Sequence, residues 1–208
     1  MISKPYAADF TLNGKKAVIT GAASGIGYAT ARLFSEKGAQ VCLLDRNSQA
    51  LQNAASSIPG SFSCSADVAD YDHINRTIQT IAKEHGDIDV LVHCAGIGDI
   101  ERAEDFDEKT WRKVIDVNLT GSFFMAQAVG KQMIQAGNGG KIICMASQAG
   151  IVAIDRHVAY SASKAGIISM VKSLAYEWGR YGIQVNAISP TATETPIIVG
   201  YWDVGEVH

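Results

Sequence analysis

The sequence predicts a single α/β domain in which helices cover both faces of a doubly wound parallel sheet with strand order 3-2-1-4-5-6. Three observations carry this prediction. Short apolar runs recur along the chain, helical stretches separate them, and a glycine-rich turn joins the first run to the first helix. With 208 residues, 47% of them hydrophobic, residues 1–208 suit one domain with one sizeable core.

Six strands and the helices between them follow from these patterns. The strands are expected at residues 15–20, 40–44, 61–64, 90–92, 141–145 and 184–188. The helices are expected at residues 28–38, 48–58, 71–85, 108–136 and 159–180, the fourth as one long helix. Parallel strands end at the same edge of a sheet, so residues that directly follow different strands are expected near one site. The residues in question, after strands 2, 4, 5 and 6, are Asp45, Ala95, Ser147 and Pro190.

The first strand is followed by the glycine-rich segment Thr20–Gly27, with Gly21, Gly25 and Gly27 in the spacing G-x-x-x-G-x-G. A strand, a glycine turn and a helix form the arrangement that binds dinucleotide phosphates, because glycines let the backbone approach the pyrophosphate at the positive helix N-terminus. The spacing differs from G-x-G-x-x-G and lacks the G-K-[ST] of a Walker loop.

Asp45 ends the second strand, eighteen residues beyond Gly27. A carboxylate at this place binds the ribose hydroxyls of NAD and repels the 2′-phosphate of NADP. NAD is therefore the expected cofactor, although the neighbouring Arg46 could partly accommodate NADP.

A helical Tyr160-x-x-x-Lys164 pair, thirteen positions after Ser147, is the candidate catalytic feature. Residues four apart point the same way on a helix. An ammonium about 4 Å from a phenolate attracts it by on the order of 4 kcal/mol at an effective dielectric near 20. Such a neighbour would lower the tyrosine pKa from about 10 toward roughly 7, suitable for general acid–base chemistry.

These motifs together resemble the short-chain dehydrogenase/reductase family, over roughly residues 12–196 and in the family's order. The resemblance implies a Rossmann-type fold in which Tyr160 is the catalytic acid–base and Ser147 bonds the substrate oxygen. It also implies that Lys164 lowers the tyrosine pKa and holds the nicotinamide ribose, and that Asn118 helps to hold a proton-relaying water. The implied cofactor-binding residues are Gly21, Ser24, Gly25, Ile26, Gly27, Asp45, Asp67, Val68, Cys94, Ala95, Gly96, Tyr160, Lys164, Pro190, Thr193 and Thr195, with Asp67 and Val68 at the adenine and both threonines near the carboxamide.

The chain departs from the family pattern at three places. His93-Cys94 stands where the family usually has two asparagines, so their side-chain hydrogen bonds must be replaced or absent. Thr191 stands where a glycine usually follows Pro190, which reduces backbone freedom there. The sequence stops at His208, and the usual last helix and strand are expected to be missing.

Within the family, local sequences around Ser147 and Tyr160 look like those of sugar-alcohol (polyol) dehydrogenases. Gln148 and His157 adjoin the catalytic serine and tyrosine, where they could hold further substrate hydroxyls, or simply cap a loop and begin a helix. The expected reaction interconverts a secondary alcohol and its ketone. The alternatives are a 3-oxoacyl or other ketone reductase of the same family and a truncated nucleotide-binding protein without turnover.

The composition of the chain limits the kinds of partner and the location that we expect. A net charge of −3 without long basic runs argues against nucleic acid, and no apolar run is long enough to span a membrane. The first residues lack a signal-peptide core, and the four cysteines fit no metal motif, so we expect no metal and a reducing, cytoplasmic location. The family resemblance implies a homo-oligomer, with a dimer through the two long helices.

Overall fold

The computed structural model describes residues 10–195. It contains one six-stranded sheet, all of whose strand pairs are parallel, in the order β3-β2-β1-β4-β5-β6. The strands are β1 Lys16–Thr20, β2 Gln40–Asp45, β3 Phe62–Ser65, β4 Val90–His93, β5 Gly140–Met145 and β6 Ile183–Ile188. The predicted fold class and strand order are confirmed.

Six α-helices connect and cover these strands. They are α1 Gly25–Glu36, α2 Ser48–Ser56, α3 Tyr71–His85, α4 Glu108–Ile115, α5 Gly121–Ala136 and α6 Val158–Trp178. Three helices have a side-chain cap at the N-terminus, where a polar side chain accepts a hydrogen bond from a backbone N–H of the first turn. The caps of α2, α3 and α4 are Asn47, Asp70 and Asp107. Short 3₁₀ turns at Ala103–Asp105, Gln148–Gly150 and Gly179–Tyr181 complete the chain within the described range.

The apolar core forms two layers, one on each face of the sheet. One layer joins β1, β2 and β4 to α1 and α2 through residues such as Ile19, Leu43 and Leu51. The other joins the sheet to α3, α5 and α6 through residues such as Leu91 and Ile167. Side chains alternate between the faces of a strand, so Leu91 and His93 point toward the second layer.

The long helical region expected at residues 108–136 is present and contains one irregular turn. A π-helical turn at Asp116–Thr120 separates α4 from α5 and carries Asn118, which is fully buried. Single π-helical turns insert extra backbone into a helix and occur frequently at functional sites. The predicted helical region is confirmed over its whole length, and the π-helical turn within it is a detail that helical periodicity alone cannot reveal.

The register brings several strand ends together. Thr20 of β1 pairs with Leu44 of β2 and with His93 of β4, and Met145 of β5 pairs with Ile188 of β6. The segments that follow these strands therefore leave the sheet at one edge, as predicted. No helix within residues 10–195 is long and apolar enough to cross a membrane.

Candidate active site

The turn after β1 has a backbone conformation that requires glycine. Gly21 and Gly25 have φ values of 63° and 55°, in the left-handed region. A Cβ on Gly27 would lie 2.3 Å from the Gly21 carbonyl oxygen, so the turn closes on itself without room for a side chain. Ser24 precedes α1 without a side-chain cap, which leaves N–H groups of the first helical turn free for an anion.

This turn forms one wall of a cavity of about 200 Å³ along the sheet edge. The cavity suits a dinucleotide, because it combines the glycine turn and helix N-terminus with the carboxylate of Asp45. Twelve of the predicted cofactor residues line it: Gly21, Ser24, Gly25, Ile26, Gly27, Asp45, Asp67, Val68, Cys94, Ala95, Gly96 and Thr195. Tyr160, Lys164, Pro190 and Thr193 are not among the residues that line it.

Further residues line the cavity that the sequence argument did not assign to cofactor binding. They are Leu44, Ala66, Ile97, Val117 and Met145; Arg46, which the sequence suggested only as a possible NADP contact, lines the cavity too. Leu44 is the next-to-last residue of β2 and Met145 is the last residue of β5, so proximity to the carboxyl edge was the signal that could have found them. Val117 comes from the π-helical turn, which the sequence did not reveal.

The Asp45 carboxylate is anchored by two backbone groups. Its oxygens accept hydrogen bonds from the N–H of Ala23 at 3.2 Å and of Asn47 at 3.0 Å. A carboxylate offers about four acceptor positions, so both oxygens retain capacity for ribose hydroxyls. Arg46 also lines the cavity, beside this carboxylate in sequence.

The structure shows which groups His93 and Cys94 contact at the place where the family usually has two asparagines. His93 is buried and its Nδ1 lies 2.9 Å from the hydroxyl oxygen of Thr20, so this position has a side-chain hydrogen bond. The Thr20 hydroxyl also accepts the N–H groups of Cys94 and Ala95, both at 3.1 Å. Cys94 lines the cavity and is half-buried, as is Cys64, whereas Cys42 and Cys144 are buried.

Tyr160 and Lys164 lie one turn apart on α6, as their spacing predicts. The Lys164 Nζ atom is 5.4 Å from the centre of the Tyr160 ring and donates a hydrogen bond to the carbonyl of Met145 at 2.7 Å. The lysine is buried, and this bond holds it against the end of β5.

The expected lowering of the Tyr160 pKa is wrong for this structure. Burial raises the pKa of the phenol above its usual value, and the hydroxyl of Ser147 lowers it by a smaller amount. Burial also lowers the pKa of Lys164 to about 8, while Cys94 and Cys144 act in the opposite direction. Lys164 therefore does not keep its charge at every pH. Both pKa shifts arise because folding removes the water that would stabilise the charged forms of the two groups.

Ser147 stands at the end of β5 and begins the turn Gln148–Gly150. Its hydroxyl oxygen accepts the N–H of Ala149 at 3.1 Å. The hydroxyl proton is therefore free to be donated to Tyr160 or to a substrate oxygen. Gly150 closes the turn against α6, since a Cβ there would lie 2.7 Å from backbone atoms of Lys164 and Ala165.

Asn118 ties the loop after β4 to α6. Its side chain accepts the N–H of Ile97 at 2.8 Å and donates to the Ile97 carbonyl at 2.9 Å and to the Ser163 hydroxyl at 3.1 Å. Both amide protons are used, so a water held by this side chain would have to donate to its oxygen. A Cβ on Gly96 would lie 3.2 Å from the Asn118 oxygen and 3.6 Å from Lys164 Nζ, which places these two groups around one point.

The other predicted residues surround this centre less closely. The His157 ring is edge-on to the Tyr160 ring at 6.2 Å, and its Nδ1 bonds the Asp155 carbonyl. Gln148 is half-buried, and its N–H donates to the Pro190 carbonyl at 3.0 Å. Thr193 is exposed, and its hydroxyl bonds only the Thr191 carbonyl at 3.5 Å among the residues described.

Comparison with known proteins identifies the family of this chain. The family model described as short chain dehydrogenase matches residues 15–202. An NAD-dependent glycerol dehydrogenase of Listeria innocua serovar 6a is 47% identical, over 99% of this chain and 82% of that protein. A D-threitol dehydrogenase of Mycolicibacterium smegmatis is 44% identical, over 94% of this chain and 76% of that protein.

A solved structure shows the same architecture. A short-chain type dehydrogenase/reductase from Mycobacterium marinum superposes with a TM-score of 0.90 at 35% identity, covering 93% of this chain and 79% of that one. The family match extends over most of the sequence, and the sheet order agrees with the fold of this solved structure. The chain therefore belongs to the short-chain dehydrogenase family of oxidoreductases that act on CH–OH groups.

Proposed function

We propose that this protein is an NAD-dependent dehydrogenase that converts a secondary hydroxyl of a polyol to the ketone. The observation that carries the proposal is the position of Ser147, Tyr160 and Lys164 beside a cavity lined by Asp45 and the glycine turn. The names of the glycerol and threitol dehydrogenases support the polyol class. NAD, when bound, supplies the hydride acceptor.

The residues of the chain divide the proton work. The Ser147 hydroxyl donates to the substrate oxygen and thereby holds it beside the phenol of Tyr160. Tyr160, in its ionised form, accepts the hydroxyl proton, and Lys164 balances the negative charge before that transfer. Asn118 keeps the loop after β4 against α6 through its bonds to Ile97 and Ser163, and its oxygen can accept from a water near Lys164.

Asp45 supports NAD over NADP. Its carboxylate is held in place by Ala23 and Asn47 on the cavity wall, where a 2′-phosphate would meet its negative charge. Asp67, Val68 and Thr195 would contact the same cofactor. Pro190 and Thr193 do not line the cavity, and we propose that they contact the nicotinamide end of the cofactor.

Gln148 and His157 are the proposed residues for additional substrate hydroxyls. Because the Asp155 carbonyl can only accept, the bonded Nδ1 of His157 carries the proton and leaves Nε2 as an acceptor close to Tyr160. A polyol offers hydroxyl donors to such an acceptor, whereas a simple alcohol offers none beyond the reacting group.

The experiment is a calorimetric titration with NADH and with NADPH, followed by initial rates with NAD and a series of polyols and simple secondary alcohols. Micromolar NADH binding, much weaker NADPH binding and faster oxidation of polyols are expected. Binding of NADH without oxidation of any alcohol would favour the nucleotide-binding alternative. Preference for NADPH and for 3-oxoacyl substrates would favour the reductase alternative.

We further propose a homo-oligomer, a dimer through α5 and α6, in the reducing cytoplasm. Exposed apolar side chains on α6, Tyr176 at 91% and Val158 at 40%, and the free thiols of the described cysteines support these two proposals. Light scattering coupled to size-exclusion chromatography tests the first; a mass of one chain at micromolar concentration would contradict it.

A further inference from the structure

The hydroxyl of Thr20 lies at the centre of a small buried network beneath the proposed cofactor cavity. Its oxygen accepts the N–H groups of Cys94 and Ala95, both at 3.1 Å. Its third neighbour is Nδ1 of His93 at 2.9 Å. Thr20 and His93 are 0% and 1% exposed, so water does not compete for these groups.

Counting protons fixes the state of the histidine. A hydroxyl has one proton and two lone pairs. The two backbone N–H groups occupy the lone pairs, so the Thr20 proton must be donated to Nδ1 of His93. That nitrogen is therefore unprotonated, and a neutral ring then carries its proton on Nε2.

The environment of the ring supports the neutral form. The Nε2 atom is buried and has no hydrogen-bond partner within residues 10–195. Burial lowers the pKa of His93 to about 3, and the nearby Lys164 acts in the same direction. A second proton on this ring would place a cation in a dry site beside another cation.

The groups that Thr20 holds are walls of the cavity. Cys94 and Ala95 line it, and a Cβ on the opposing Gly21 would lie only 2.9 Å from the N–H nitrogen of Ala95. A small displacement of the segment after β4 would therefore alter the width of the cavity at the glycine turn.

We propose that His93 is a positioning residue of the cofactor site: as the neutral Nε2–H tautomer it accepts the Thr20 proton and so directs both Thr20 lone pairs to the amides of Cys94 and Ala95. This inference rests on the proposed function, since the ligand of the cavity is taken to be NAD.

Three substitutions separate this role from simple packing. His93→Asn keeps an acceptor at the δ position, His93→Leu keeps a similar branched shape without any acceptor, and His93→Gln places its polar atoms at the ε position. NADH affinity should stay within about threefold of the parent for Asn and fall by about tenfold for Leu and Gln, a factor that corresponds to about 1.4 kcal/mol. The KM for NAD should rise more in the Leu and Gln variants than in the Asn variant, and kcat should change less than KM. Equal affinity of the Asn and Leu variants would overturn the proposal.

A spectroscopic measurement tests the tautomer without any variant having to bind cofactor. Imidazole ¹⁵N shifts of the parent, assigned among the five histidines by comparison with His93→Asn, should show a neutral ring protonated at Nε2 between pH 6 and 8. A ring protonated at Nδ1, or a cationic ring, would overturn the proposal. If the parent binds no NADH, the proposed function fails, while the ¹⁵N shifts still decide the state of His93.

Discussion

Replacing Gly150 by alanine should separate the serine of the site from its tyrosine. Gly150 ends the short turn that begins at Ser147, and this turn packs against α6. An added Cβ would lie 2.7 Å from the N atom of Ala165 and from the carbonyl carbon of Lys164. Both are backbone atoms of a helix, so neither can swing aside as the tip of a flexible side chain would.

The size of the effect follows from this distance. Ordinary contacts of a Cβ begin near 3.4 Å, so the turn and the helix must move apart by about 0.7 Å. A misplacement of about 1 Å in an active site can cost a factor of about 10² in rate, so kcat should fall roughly ten- to a hundredfold. Overpacking of this kind typically costs about 1–3 kcal/mol of the free energy of unfolding.

Initial rates with NAD and an oxidised polyol measure the change in kcat. The KM for NAD should change little, because Gly150 does not line the cofactor cavity. Gly179→Ala is the matched control: its φ is −56°, and a Cβ there meets nothing within 4 Å, so activity and stability should be retained. A Gly150→Ala enzyme with the parent's kcat and the parent's unfolding free energy would refute the argument.

Three other predictions address charge and proton transfer. Tyr160→Phe should lower kcat by about 10²–10⁴ and leave the calorimetric Kd for NADH within a few-fold, since only the acid–base group is lost; substantial residual turnover would exclude the assignment. Asp45→Asn should reduce the ratio of NADPH to NADH dissociation constants by about tenfold, because the repelling charge is gone while an acceptor remains; an unchanged ratio would contradict the role of Asp45. The folded pKa of Lys164 is about 8 against an ordinary 10.5, so the unfolded chain binds more protons in this interval. The free energy of unfolding should therefore rise from pH 8 to 10.5 relative to that of Lys164→Met. Denaturant titrations of the two proteins measure this difference, and an equal pH dependence of both would show that the pKa of Lys164 is not lowered on folding.

The fold was predictable because its signals are local and repeated. Each buried strand reads as a short apolar run, and Gly21 and Gly25 mark a turn whose backbone excludes other residues. Alternation of strands and helices then leaves few parallel topologies. The π-helical turn was not predictable, because an extra residue in a helix leaves the apolar pattern on each side of it intact, and the bonds of Asn118 to Ile97 join residues that are distant in sequence.

The members of the candidate site were easier to predict than their electrostatics. Spacing on a helix places Tyr160 beside Lys164, and strand ends place Asp45 and Ala95 at the same edge. The pKa values depend on burial, which is a property of the packed molecule. A sequence gives the neighbour of a charge but not the water that the charge loses on folding.

Burial also changes how the Tyr160–Lys164 pair must work. The pKa of the phenol is raised and that of the ammonium is lowered to about 8, so burial favours the neutral form of each group. The same loss of water that opposes each separate charge strengthens the attraction between a phenolate and an ammonium, because both then interact in a medium of low dielectric. In the proposed mechanism, the proton released by an alcohol therefore enters a buried pair of ionised Tyr160 and protonated Lys164 rather than an isolated phenolate. Ser147 acts on the same balance, since its free hydroxyl proton stabilises negative charge on the phenol oxygen. In the proposed mechanism, the position of the turn Gln148–Gly150 against α6 therefore matters for proton transfer as well as for substrate binding.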